Sequence, residues 1–138
     1  MKIFKIYSLF LLITISLIAD VENRYPNMAL INSEIKIIDI RTEGEWYQTG
    51  LLKDSYPITF FDKRGAYNIS DFLSKLNRVV KKGEKFALIC RSGSRSNTVS
   101  KFLGRNGYDV INLTGGILHA TKRLGIRTER YNSSKRYY

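Results

Sequence analysis

The sequence predicts an α/β domain with a mostly parallel central sheet and helices on both faces. Three observations carry this reading. Residues 35–40, 85–89 and 108–113 form short runs rich in apolar and β-branched residues, as strands covered on both faces are. Segments with helical spacing of apolar residues stand between and after them. The length of 138 residues, 43% hydrophobic with only two prolines, suits one folded domain around a single core.

Taken in order, the first residues stand apart. Lys2 and Lys5 precede an almost unbroken apolar run from Ile6 to Ala19. That is the pattern of a secretory signal peptide in residues 1–19, cut after Ala19, or of an N-terminal anchor in residues 6–19 if uncut. The run is short for a membrane span. The expectation is an exported, periplasmic protein that meets a membrane only through an uncleaved N-terminus. Cleavage would remove two lysines and no acid, leaving 21 basic against 12 acidic residues and a net charge of +9.

Residues 20–34 read as a lead-in with one short strand at 29–31. The domain proper is expected over residues 35–124. Strand 35–40 ends in Asp39-Ile40-Arg41, and Thr42 caps a short helix with Glu43 and Glu45 in its first turn, closed by Gly50. A short strand at 57–61 and a polar loop follow. Ser70 is positioned to cap a helix whose Phe72, Leu73, Leu76, Val79 and Val80 share one face, with Gly83 as its stop. Strand 85–89 delivers Cys90. A helix beginning near Ser94 carries Val99, Phe102 and Leu103, strand 108–113 follows, and Gly115-Gly116 turns the chain into a last helix holding Ile117, Leu118, Ala120 and Leu124. Residues 125–138 are basic and polar with no periodic apolar face, and are expected to be loose.

The full chain carries a net charge of +11, which points to anionic partners in general. The basic residues are scattered, and no helix bears a basic stripe with interleaved aromatics, so nucleic acid is not an expected partner. With one Cys and one His a protein-only zinc site is not expected, because such sites usually take three or four ligands, and no disulfide can close within the chain. No metal and no cofactor are expected.

The chemistry converges on Cys90-Arg91-Ser92-Gly93-Ser94-Arg95-Ser96, where the sole cysteine stands between a buried strand and a helix. In parallel α/β sheets, ligands bind at such carboxyl ends of strands. Ser92, Gly93 and Ser94 are small enough for the backbone to curl and aim its N–H groups inward as an anion-binding nest. The helix N-terminus with Arg91 and Arg95 nearby favours a thiolate, which is the nucleophilic form of cysteine. A buried structural cysteine is the ordinary alternative. Two arginines, three serines and a glycine in the next six places make poor core surroundings.

These features resemble the single-domain rhodaneses, the thiosulfate sulfurtransferase family, over residues 35–124. Ile38-Asp39-Ile40-Arg41 with Glu45-Trp46 and Gly50 is similar to the family's first signature, residues 90–96 to its active loop, and Leu113 with Gly115-Gly116-Ile117 to its last. With the N-terminal run in front, the chain is most similar to the small periplasmic members. The resemblance implies a single rhodanese-like domain. In it Cys90 would take a sulfane sulfur from a small anionic donor such as thiosulfate, form a persulfide, and pass the sulfur to cyanide or a thiol. It also implies that the N–H groups of residues 91–95 cradle the persulfide, that Arg91 and Arg95 with Ser92, Gly93, Ser94 and Ser96 bind the donor, and that Asp39 and Arg41 support the site. The expected partners are loop groups for Asp39 and Glu45 for Arg41. Leu51-Leu52 stand where the family usually has His-Ile, and Ala120 where it often has a tryptophan.

Two rival readings stay open at this level. Cysteine phosphatases and arsenate reductases place an arginine to grip the oxyanion in Cys-x5-Arg. Here Arg95 makes Cys-x4-Arg, and position 96 is Ser. A catalytically silent rhodanese-like domain serving as a binding or regulatory module is the other. A self-contained disulfide cycle is excluded, because no second cysteine can resolve a mixed disulfide.

Overall fold

The computed structural model describes residues 21–138, so the N-terminal apolar run and the signal-peptide reading lie outside the described residues. Five strands form one parallel sheet: β1 (Glu22–Arg24), β2 (Lys36–Asp39), β3 (Tyr56–Pro57), β4 (Phe86–Ile89) and β5 (Val110–Leu113), in the order β1-β5-β4-β2-β3. The helices are α1 (Met28–Ile31), α2 (Glu43–Thr49), α3 (Ile69–Val79), α4 (Ser94–Arg105) and α5 (Gly116–Leu118), the last continued by a π-helical turn (His119–Arg123). Among the described residues, no helix is long and apolar enough to cross a membrane.

Alternation along the strands sorts side chains into two cores. On β4, Phe86, Leu88 and then Cys90 face one side, with Phe72 and Leu76 of α3 and Val99 and Leu103 of α4. Ala87 and Ile89 face the other, with Leu30 and Ile31 of α1 and Ile117 of α5. Each large side chain so buried contributes roughly 1.5–3 kcal/mol. Helices thus cover both faces of the sheet. The central strand β4, fully buried, carries the cysteine to the sheet's carboxyl edge.

Several local expectations are corrected. Residues 29–31 belong to α1, because Asn27 Oδ1 accepts from the Leu30 N–H at 2.8 Å and caps a run of good helix formers. The edge strand lies upstream at Glu22–Arg24. Helix α3 is capped by Asn68, two residues before Ser70, and ends at Val79, while Gly83 at φ +83° turns the chain toward β4. The strand foreseen at 57–61 stops at Pro57, although the Ile58 and Phe60 N–H groups still bond to Asp39 and Ile40 carbonyls. Leu124 is 48% exposed. Its N–H reaches back to the His119 carbonyl, and the wider π turn rotates it away from the core.

The basic tail is docked. Leu51 and Glu129 exchange two backbone hydrogen bonds, at 2.8 and 2.7 Å, and the Thr128 hydroxyl donates to the Thr49 carbonyl. Tyr131 packs its ring against Trp46 and Tyr47. Aromatic area, which has no helical period in this segment, holds the tail to α2.

Candidate functional site

Cys90 is completely buried beneath its loop. Its Sγ accepts from the Gly93 N–H at 3.1 Å and the Ser96 N–H at 3.4 Å, and lies 3.4 Å from Ser96 Oγ. The cradle foreseen from residues 91–95 is therefore made at the sulfur by positions 93 and 96. Arg91, Ser92, Ser94 and Arg95 make no backbone bond to it. The reason lies in Gly93, which adopts φ +94° as the residue before α4 and turns its own N–H inward.

The loop's carbonyls are turned outward and used. Cys90 O accepts from the Ile117 N–H at 2.9 Å and Arg91 O from the Leu118 N–H at 3.1 Å. This contact needs glycine: a Cβ on Gly116 would stand 2.3 Å from Cys90 O and 2.6 Å from Arg91 O. The Gly115-Gly116 pair therefore lets α5 grip the loop from below, and donors rather than acceptors face the sulfur.

The charged residues pair differently from the sequence expectation. Asp39 and Arg41, two apart and so on the same side of the chain, bind each other: Arg41 Nε lies 3.0 Å and Nη2 2.8 Å from the Asp39 carboxylate. Arg41 also donates to Thr49 Oγ1 at 2.6 Å and Gly50 O at 2.7 Å, and Trp46 Nε1 donates to Asp39 at 3.1 Å. Both ions are buried, with every contact hydrogen-bonded, so they tie β2 to the middle and the C-terminal end of α2. No loop group of residues 91–96 reaches Asp39.

Glu45 turns instead to Arg95. Thr42 and Glu45 form a capping box, with Glu45 Oε2 accepting from the Thr42 N–H, and its two oxygens receive Arg95 Nη1 and Nη2 at 2.8 and 2.6 Å. The Arg95 guanidinium, aided by the Thr42 N–H, holds the Glu45 carboxyl down at about 2. Arg95 is correspondingly pushed up by Glu45, with smaller contributions from Cys90 and Asp39. Its charge is thus largely spoken for. Arg91 is exposed and makes no ion pair among the described residues. Ser92 and Ser94 are exposed at the loop's mouth, while Ser96 is buried against the sulfur.

One residue that the sequence reading passed over stands behind the sulfur. Asn112 interrupts the apolar run of β5, is 3% exposed, and accepts from Ser96 Oγ at 2.6 Å. A lone carboxamide in an otherwise continuous buried strand was the available signal. His119 is half-buried, with its ring 4.5 Å from that of Tyr25. Among the described residues, no group of three or more His, Cys, Asp or Glu could hold a metal ion.

Comparison with known proteins is consistent with this geometry. The profile of the family described as "Rhodanese-like domain" matches residues 27–121, which takes in α1 and most of the segment read as a lead-in. The chain is 32% identical over 94 residues to "Uncharacterized protein RP600" of Rickettsia prowazekii, covering 65% of this chain and 75% of that one. It is 30% identical over 87 residues to "Putative sulfurtransferase YtwF" of Bacillus subtilis, covering 63% and 74%. Among solved structures it resembles a rhodanese-like domain protein from Staphylococcus aureus, with a TM-score of 0.52 at 25% identity over 73% of this chain and 87% of that one. A buried strand delivering a cysteine into a six-residue loop whose Gly93 and Ser96 N–H groups meet the sulfur, gripped by a Gly-Gly helix start, belongs with that match: the chain is a member of the rhodanese-like domain family.

Proposed function

We propose that the protein is a sulfurtransferase that moves a sulfane sulfur from thiosulfate or a similar small anion to cyanide or a thiol through a Cys90 persulfide. The observation that carries this is the convergence of the Gly93 and Ser96 N–H groups on Cys90 Sγ, with the Cys90 and Arg91 carbonyls turned away. Such a cradle stabilises anionic sulfur. In the first step the Cys90 thiolate attacks the outer sulfur of thiosulfate, a new S–S bond forms, and sulfite leaves with the electron pair of the old one. In the second, the acceptor attacks the terminal sulfur and Cys90 departs as thiolate. The added sulfur extends about 2 Å beyond Sγ.

Arg91 receives the donor in this reading, because Arg95 is already paired with Glu45. The same pairing disfavours a phosphatase, which needs an unencumbered guanidinium to hold an oxyanion. Export to the periplasm, with residues 1–19 removed or retained as an anchor, is part of the proposal. Protein recovered from a periplasmic extract is then expected to begin at Asp20. Sulfur transfer is tested by incubating the protein with thiosulfate and weighing it intact. One added sulfur on the wild type, none on Cys90→Ser, and thiocyanate on addition of cyanide are the expected results. A wild type that gains no sulfur and yields no thiocyanate would overturn the reading in favour of a silent binding module.

A further inference from the structure

Behind the sulfur runs a chain of polar side chains that the transfer steps above leave unused. Cys90 Sγ lies 3.4 Å from Ser96 Oγ, which donates to Asn112 Oδ1 at 2.6 Å. Asn112 Nδ2 donates in turn to Asn23 Oδ1 on β1 at 2.9 Å, and Asn23 Nδ2 donates to the Val21 carbonyl at 3.1 Å. Asn112 is buried and Asn23 exposed at the rim of an open cleft of about 540 Å³ between β5 and the start of α4. Packing alone would be served by an aliphatic residue at 112, as at every other position of β5. A buried carboxamide costs free energy unless its bonds are made.

The direction of the chain matters, because Ser96 owns a single hydroxyl hydrogen. With Cys90 as a thiol, S–H donates to Ser96 Oγ, whose hydrogen goes to Asn112 Oδ1, and all three groups are satisfied. With Cys90 as a thiolate, the sulfur needs a hydrogen and faces an oxygen lone pair. Turning the hydroxyl alone would strand Asn112 Oδ1, buried, without a donor. Rotating the Asn112 carboxamide by half a turn removes the conflict, since its two ends have nearly the same shape. Nδ2 then donates to Ser96 Oγ, the hydroxyl donates to the sulfur, and Oδ1 accepts from Asn23, whose exposed amide turns in the same way. No proton changes owner, and the three bonds from the sulfur to Asn23 are remade in the opposite sense, while Asn23, being exposed, exchanges its bond to the Val21 carbonyl for solvent.

We infer that Asn112 and Asn23 form a reversible hydrogen-bond relay that aims the Ser96 hydroxyl at Cys90 sulfur whenever that sulfur is anionic. They are positioning residues acting through Ser96. The inference rests on the proposed thiolate chemistry, in which Cys90 must be an anion both when it attacks and when it leaves.

The test is the rate of Cys90 alkylation by iodoacetamide at neutral pH, which reads the thiolate whether or not thiosulfate is a donor. Asn23→Asp accepts from Asn112 but cannot donate to it, so it locks the chain in the thiol orientation. Alkylation should slow about tenfold, and the effect should persist in salt that screens the exposed carboxylate. Asn23→Ala admits water, which serves either direction, and should slow about two- to threefold. A purely structural role predicts the reverse order, with alanine the worse because it deletes the contact. Asn112→Asp should match Asn23→Asp if it folds, judged by Trp46 fluorescence, and Asn23→Asp on the exposed edge strand tests the relay if it does not. Alkylation of Asn23→Asp at the wild-type rate, or slower alkylation of Asn23→Ala than of Asn23→Asp, overturns the relay. Failure of the sulfurtransferase reading shows separately, as a wild type that takes no sulfur from thiosulfate.

Discussion

Replacing Glu45 by glutamine isolates the ion pair that braces the active loop. Gln suits the capping position as well as Glu does, so the Thr42 cap persists and only the charge opposite Arg95 is lost. Glu45 titrates at about 2 in the folded protein against an ordinary 4.5. At about 1.4 kcal/mol for each pH unit, that displacement corresponds to roughly 3 kcal/mol. Both side chains are partly exposed, 23% for Glu45 and 30% for Arg95, and screening by water brings the figure to about 1–2 kcal/mol. The sign follows from the lowered value. The folded state binds this proton less readily than the unfolded chain, so the contribution is complete above about pH 4.5 and is lost as pH falls toward 2. Urea unfolding followed by the fluorescence of Trp46, the sole tryptophan, should therefore place Glu45→Gln about 1–2 kcal/mol below wild type at neutral pH. More than half of that gap should be gone at about pH 3. Equal stability at neutral pH would refute the argument. So would a gap that does not change between about pH 6 and pH 3.

The two loop arginines should separate in kinetics: Arg91→Ala is expected to raise KM for thiosulfate with kcat little changed, while Arg95→Ala should lower stability together with activity, and Arg95→Lys should recover little because the bidentate bond to Glu45 needs a guanidinium. Steady-state assays with parallel urea curves check this. Gly116→Ala, whose Cβ meets the Cys90 carbonyl at 2.3 Å, should displace the active loop and abolish persulfide formation, at a cost of about 2–4 kcal/mol in stability; normal persulfide yield by intact mass would contradict the gripping role of α5. Burial and the hydrogen bond to Glu43 push the Tyr131 phenol up to about 12 from an ordinary 10. Its contribution is present below pH 10 and lost as pH rises toward 12, so the alkaline fall in stability should be shallower for Tyr131→Phe, measured by urea unfolding across that range.

What was local could be read from the residues. The apolar run at 86–89 followed by Cys90, Thr42 with Glu45 three places on, and Gly93 before a helical pattern each specify a strand end, a capped helix and a left-handed turn within a few residues. They sufficed for the α/β class, for the cysteine's place at the carboxyl edge and for the family resemblance. Local signals also misled where two competed, as when Asn27 capped a helix over residues that also suit a strand.

Tertiary structure decided the partners. Glu45 meets Arg95 across fifty residues because β2 lies beside β4, so the starts of α2 and α4 become neighbours; the same register leaves Arg41 to Asp39. Ser96, Asn112 and Asn23 join only because β5 runs between β4 and β1. The tail finds α2 through Leu51 and Trp46, which no periodicity within it announces. Hydrophobic period and capping act over one or two turns and are written in neighbouring residues. Charges and carboxamides take whatever partner the strand order brings within about 3 Å, and that order is settled by the packing of the whole sheet.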